Sequence, residues 1–341
     1  MSNNNNIKPQ ISVLFSTPTF IAPYRTHLER NFDVQWSPIP YTPPPKKILE
    51  YISFPFRLIN KKIRTFFSSN NADILFVEFA DETLALVSKI RKSKMIVTRL
   101  HRYELFNLPK ADWSAINMII VVNNWMKKEL ELKVPSLKGK VICIHNFVDV
   151  NYWNKPKSRI IKNKLSIVGN IEKRKGHDKA IIAFSKLLKK RENLQLSIVG
   201  KSKDLSFSDS LNVLVSDLGL NDNVFFDGYV DDLRQEFHET DVILSFSEHE
   251  STHLTLFEGL SCGVFPMSRN WDGVDEFLPK DNIFSTDSEF ISKIDKFYSN
   301  SLSTNLSEIE FLASSILPKF SNPDPRKVLS NTILDKYLNS K

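Results

Sequence analysis

The sequence predicts an α/β protein built from two Rossmann-like, doubly wound domains that face each other across a cleft. Three observations carry this. Short apolar, β-branched runs alternate with helical patterns through most of the chain, the rhythm of βα units and parallel sheets. The runs are apolar almost throughout rather than alternating, as expected where helices cover both faces of a sheet. The rhythm also stops at one polar, basic stretch, DVNYWNKPKSRIIKNK (149–164), and begins afresh after it. At 341 residues the chain has room for about two domains.

The first domain is expected over residues 1–150, with strands at ISVLFST (11–17), DILFVEF (73–79), KMIVTRLH (94–101), MIIVVN (118–123) and KVICIHNF (140–147). The second is expected over 151–323, with strands at KLSIVGN (164–170), LQLSIVG (194–200), NVFFDGY (223–229), DVILSFS (241–247) and GVFPMS (263–268). The C-terminal third reads as helices over 288–299, 304–316 and 324–339, and the last, within 324–341, has the length to cross back and brace the first domain. In open α/β sheets ligands bind beyond the carboxyl ends of the strands, so with two such domains the expected site is the cleft between them.

The composition sets further bounds. An apolar fraction of 41% supplies packed cores, and no run approaches the ~18 apolar residues of a membrane span. MSNNNNIKPQ has no apolar segment of a secretory signal, and Cys143 and Cys262 form no Cys-x-x-Cys and no disulfide framework, so a cytoplasmic protein is expected. The net charge of +7 suits nucleic acid, an anionic membrane or a phosphorylated small molecule, and alone does not choose between them.

The strand ends carry the chemistry. SIVGNIEKRKGHDKAIIAF runs strand, turn, helix: Gly169 ends the strand, and Lys173, Arg174 and Lys175 crowd the turn before Gly176. Cations there, beside a helix N-terminus, make an anion site, although a charge run on a turn is as often merely solvated. DVILSFS reads as a buried strand with Glu248, His249 and Glu250 at its carboxyl end, followed by the helix THLTLFEGLSCG. The first-turn N–H groups of that helix suit a diphosphate, and a carboxylate such as Glu258, being acceptor-only, suits a pair of sugar or ribose hydroxyls. Glu276 follows the next strand on the same rim. Any single glutamate is more often an exposed solubilising charge; three at consecutive strand ends weaken that reading considerably.

Glu250 and Glu258 match the E-x7-E motif of the family-4 glycosyltransferases, retaining enzymes of GT-B architecture. GNIEKRKGHDKAIIAF resembles that family's Gly, basic residue and Lys-Gly before a helix, VFFDGYVDDLRQEF its Gly-Tyr segment, LSCGVFPMS its small-Cys-Gly-x-Pro turn, DGVDE its Gly-Gly-x-x-Glu, and VICIHNFVDVNYW the close of its N-terminal domain. The resemblance is strong over about 140–285 and weak before it. It implies that Lys175 contacts the donor diphosphate, that Glu258 holds the ribose, and that Glu250 lies near the donor sugar. Gly169, Asn170, Arg174, His253, Leu254 and Thr255 would line the donor site, with Glu276 and Tyr229 as weaker contacts to donor and base. His101, at a strand end in TRLHRYELF, matches a histidine near the reacting sugar; a structural histidine is the plain alternative.

Two departures stand out. Asn170 occupies the place usually held by the diphosphate arginine, and the glycine-rich loop is here Ser251-Thr252-His253, whose histidine would crowd or contact the donor sugar. With no Asp-x-Asp motif and no His/Cys metal spacing, the resemblance implies a metal-independent reaction in which Lys175, its basic neighbours and the helix N-terminus neutralise the leaving diphosphate. No cofactor is expected, because the nucleotide-sugar, a UDP- or GDP-sugar, is the substrate. The acceptor would be carbohydrate or lipid-linked, in the synthesis of a cell-surface polysaccharide, glycan or glycolipid.

PPPKKILEYISFPFRLINKKIRTFF (43–67) is basic and aromatic, with Ile48, Ile52, Ile59 and Ile63 near helical spacing. One reading is a surface helix in peripheral contact with an anionic membrane; the commoner fate of such a stripe is packing on the sheet, with Pro55 breaking or kinking any single long helix. Two other function classes remain. A non-catalytic relative that binds a nucleotide-sugar or a partner would follow from Asn170 and the missing glycines. A nucleic-acid-binding protein is disfavoured by dispersed cations and the absence of a helix-turn-helix or aromatic RNA-binding signature.

Overall fold

A computed structural model describes residues 8–42, 48–90, 94–154, 159–202 and 204–341, without the side chains of 48–51. The described chain forms two compact units, Met1–Phe147 with Pro323–Lys341, and Val148–Asn322.

The first unit carries six parallel strands: β1 (Gln10–Phe15), β2 (Asp33–Pro38), β3 (Ile74–Val77), β4 (Met95–Arg99), β5 (Met118–Val121) and β6 (Val141–Cys143). They lie in the order β2-β1-β3-β4-β5-β6. β3, β4 and β5 are buried along their whole length, which is why they read as unbroken apolar runs. Successive residues serve opposite faces. Ile74 and Phe76 pack with Leu28, Leu329 and Ile333, while Leu75 and Val77 pack with Leu84, Met126 and Leu130. Helix Pro325–Leu338 therefore closes one face of this sheet beside helix Arg25–Asn31, pinned where Asn31 donates to Ser330 Oγ (2.9 Å) and Ser330 donates to the His27 carbonyl (2.8 Å).

The second unit repeats the plan with β7 (Lys164–Val168), β8 (Gln195–Val199), β9 (Val224–Gly228), β10 (Val242–Ser245), β11 (Phe265–Arg269) and β12 (Ile283–Phe284), in the order β12-β11-β10-β7-β8-β9 and again all parallel. The chain runs outward from β7 to β9, then returns to lay β10 on the other side of β7. Strand order thus reverses between β7 and β10, the switch point at which open α/β sheets bind ligands. Residues 159–162, within the stretch expected as a linker, are already fastened to this unit: Arg159 donates to the carbonyls of Thr240 and Cys262, and the Lys162 N–H donates to Asp241 (3.0 Å).

The strand pattern missed β2 and β12. β2 is an edge strand buried at only one of its six positions, and β12 has two residues, too few to show a period. The 43–67 segment differs more. Residues Ile48–Ser68 form one helix that runs through Pro55, so the expected break does not occur. Nor does the apolar stripe pack on the sheet, since Ile52, Ile59 and Ile63 are exposed while Lys61 and Thr65 are buried. The cause is Lys61, whose Nζ lies 3.3 Å from Glu82 Oε2 and 4.0 Å from Asp81 Oδ2 at the start of helix Glu82–Ile90. That ion pair turns the polar side of the helix inward, where Thr65 satisfies its hydroxyl on the Lys61 carbonyl one turn back (2.8 Å). The side chain of Ile48 and residues 43–47 lie outside the described residues.

Candidate donor site

The carboxyl ends of β7 and β10 bring together groups that lie far apart in sequence. β7 ends at Gly169, and the chain turns through Lys173–Lys175 into helix His177–Leu188. Gly176 makes that turn at φ +69°, and a Cβ there would stand 2.4 Å from the Phe246 carbonyl oxygen, just past the end of β10. Only glycine fits such a left-handed, crowded position. Gly176→Ala is therefore expected to cost about 2 kcal/mol or more of stability and to displace Lys175. Urea denaturation checks the first effect and nucleotide binding the second.

Lys175 reaches from this turn to Glu250, with Nζ 2.6 Å from Oε1. Arg174 Nη1 approaches the same oxygen at 3.2 Å, and Ser247 Oγ donates to it at 2.8 Å. Burial works against ionisation of Glu250, yet His253, which is protonated in the acid range where Glu250 titrates, together with Lys175 and Arg174 outweighs it and holds the carboxyl down at about 2. His253 is itself held down at about 3, by burial first and the Lys175 charge second. The imidazole is thus neutral at pH 7, and Lys175 and Arg174 supply the charge that keeps Glu250 ionised. Lys175 Nζ also lies against Gly169, 3.7 Å from where a Cβ would stand. The result is a mostly buried ammonium, anchored by one carboxylate, at the mouth of β7.

Helix Leu254–Ser261 starts beside this cluster. Its first residues are tied to the end of β7, where Thr255 Oγ1 donates to the Val168 carbonyl (3.3 Å), and its N-cap is His253 at φ +55° with no side-chain cap. The N-cap side chain therefore consumes none of the first-turn N–H groups, and the positive end of the helix dipole points out of the helix there. The His253 ring is buried and lies 2.6 Å from Ser245 Oγ through Nδ1. The ring is thereby braced on β10.

Glu258 lies one turn along the same helix and is different in kind from Glu250. No described group donates to its carboxylate, and burial, unopposed by any cation, pushes it up to about 7. A carboxylate kept in such a place wants donors, and two hydroxyls would supply them. The two motif glutamates thus differ in surroundings: Glu250 meets Lys175, and no described group donates to Glu258.

The other expected residues lie at the same edge of the sheet but outside this cluster. Asn170 is exposed just past β7, and Leu254 opens the helix. Tyr229 is exposed after β9, with Lys201 Nζ 4.0 Å from its ring centroid. Glu276 sits in a short 3-10 turn beyond β11, where its carbonyl accepts from Lys319 Nζ (2.5 Å). Ser247, which completes the shell of Glu250, has no sequence signal beyond lying three residues before it.

His101 belongs to the first unit, at the carboxyl end of β4. Its ring lies between Phe20 and Phe79 (centroids 4.8 and 4.7 Å), and Nε2 is 3.1 Å from Glu78 Oε1. The same Glu78 oxygen accepts from Arg99 Nε at 3.0 Å, and the His101 N–H donates to Glu104 (3.0 Å). The histidine is therefore held at both backbone and ring.

Comparison with known proteins bears on the fold. Residues 153–308 match the family model "Glycosyl transferases group 1". The chain is 25% identical over 230 residues to the N-acetyl-alpha-D-glucosaminyl L-malate synthase of Bacillus anthracis, a match that spans 61% of this chain and 59% of that protein. Among solved structures, HepE of Anabaena in complex with UDP superposes with a TM-score of 0.72 at 15% identity, covering 97% of this chain and 100% of that one. A glycosyltransferase from Rickettsia africae ESF-5 gives 0.72 at 16% identity (98% and 100%), and the lipopolysaccharide outer core galactosyltransferase WaaB gives 0.70 at 14% (96% and 99%). Two parallel six-stranded sheets, each wrapped in helices, and these superpositions define the GT-B fold. Within it, residues 153–308 are the part of the chain that is similar to the group 1 glycosyltransferases.

Proposed function

We propose that the protein is a cytoplasmic, retaining hexosyltransferase that moves a sugar from a nucleotide-sugar, UDP-linked in the first instance, to an acceptor hydroxyl on a glycan or lipid-linked saccharide. The observation that carries this is the gathering of three features at one switch point: a Glu258 carboxylate to which no described group donates, a Lys175 ammonium held by Glu250, and a helix N-terminus that its N-cap side chain leaves open. A nucleoside diphosphate offers the complement, two ribose hydroxyls and two phosphates. HepE, solved with UDP and with UDP-glucose on the same fold, supports uridine as the base.

In this reading Lys175, Arg174 and the Leu254–Ser261 helix dipole stabilise the negative charge that builds on the departing diphosphate. These groups are fixed before reaction, so little reorganisation opposes the step. Glu250 keeps Lys175 aimed at the phosphates and charged. His101, clamped by Phe20, Phe79 and Glu78, is assigned to the reacting sugar. The reading uses protein cations in place of a metal.

A panel of UDP-, GDP-, ADP- and dTDP-sugars should show thermal stabilisation by one nucleotide class, about 2.7 kcal/mol at a hundredfold excess over Kd. Lys175→Ala and Glu258→Ala should abolish it, and the stabilising donor should be turned over once an acceptor is supplied. Stabilisation without turnover across acceptors would favour the non-catalytic reading, which Asn170 motivates by replacing a cation with an amide. No stabilisation by any nucleotide would refute the donor site.

A further inference from the structure

We propose that the Ile48–Ser68 helix is a membrane-docking surface, lying in the interface of an anionic bilayer with its outward face down. This inference is independent of the donor site. At about 100° per residue, Ile52, Phe56, Ile59, Ile63, Phe66 and Phe67 fall within an arc of roughly 100° on one side of the helix. All six are exposed, at 69, 71, 53, 50, 46 and 69%. A contiguous apolar patch of this kind on a water-soluble surface marks an interaction site.

The helix cannot hide the stripe by rolling. Its opposite side is seated on the unit through the buried Lys61, which is paired with Glu82 and Asp81, and through the buried Thr65. Burying the isoleucines in their place would strand that lysine charge.

The flanks choose the partner. Lys62 borders the stripe on one side and Arg64 lies beyond it on the other, both exposed, and residues 51–68 contain no acidic residue. A second copy laid against this face would bring basic flanks together, and residues 51–68 of neither helix carry a carboxylate to meet them. Anionic headgroups meet them directly, while the isoleucines and phenylalanines enter the acyl boundary. No described helix is long and apolar enough to cross a membrane, so the contact is one of lying on the surface.

The test is flotation of the full chain with vesicles of phosphatidylcholine, with and without phosphatidylglycerol, at low and high salt. The wild type should float with the anionic vesicles at low salt. Ile52→Ser/Phe56→Ser/Ile59→Ser and, separately, Lys62→Glu/Arg64→Glu should each lower the bound fraction on the order of tenfold. Because these side chains are exposed, both variants should keep the wild-type melting temperature and nucleotide stabilisation. Failure of the wild type to float, or equal flotation of either variant, would overturn the proposal. So would a lipid-free, concentration-dependent dimer that the apolar variant dissolves, which would assign the face to a second copy.

Discussion

Glu258→Gln is expected to raise the melting temperature of the unliganded protein at pH 8 and to remove its stabilisation by nucleotide. A carboxyl lifted from its ordinary 4.5 to about 7 by burial alone is one whose ionisation opposes folding. The shift corresponds to roughly 3 kcal/mol once the group is fully ionised. The sign follows from linkage. The folded state holds this proton more tightly than the unfolded chain, so its contribution is fully present below pH 4.5 and is lost as pH rises through about 7. Glutamine keeps the shape and removes the charge, so the gain should be about 2 kcal/mol at pH 8 and fade towards pH 5. Nucleotide binding should run the other way in the wild type. Hydroxyl donors need the ionised carboxylate, so affinity should fall about tenfold for each pH unit below 7. Melting curves at pH 5 and 8, with and without UDP, separate the two effects. A variant that is no more stable at pH 8, or that still responds to UDP, would show that Glu258 is not an unpaired acceptor kept for the ribose.

The legibility of this molecule follows the range of the interactions that shape it. Strands β3, β4, β5, β7 and β10 are short apolar runs buried on both faces, and a local pattern is enough to find them. An edge strand such as Asp33–Pro38 owes its existence to pairing with Gln10–Phe15, a partner no local pattern shows. The Ile48–Ser68 helix was legible as amphipathic but not in its orientation. Periodicity tells which residues share a face, whereas Lys61 meeting Asp81 and Glu82, some twenty residues on, decides which face turns inward. The same holds at the site. The types and order of Lys175, Glu250 and Glu258 stood in the sequence as a resemblance. That Glu250 meets Lys175 arises because β10 lies beside β7, a property of strand order.

Lys175→Met is expected to lose about 2–3 kcal/mol of stability along with all nucleotide binding, and the stability loss should be largely reversed by adding Glu250→Gln. Lys175 and Glu250 are each about nine-tenths buried at the side chain, 12 and 10% exposed, and 2.6 Å apart. Removing one partner of such a pair leaves the other charge in a poorly solvated place, which costs more than the pair itself contributed. Arg174 and Ser247 still contact Glu250, so the penalty falls short of that for a wholly orphaned carboxylate. The acid side of the stability curve should also move. Glu250, held at about 2, contributes stability that is present above pH 4.5 and lost as pH falls towards 2. Without Lys175 that carboxyl titrates higher, so the loss should begin at a higher pH. The double variant removes both charges and should recover most of the stability, giving a coupling of at least about 1 kcal/mol in a double-mutant cycle. It should recover no nucleotide binding, because the cation for the diphosphate is gone. Additive losses would mean that the lysine and glutamate are neighbours without being partners, and Glu250 would then have to act on the donor sugar directly rather than by holding Lys175.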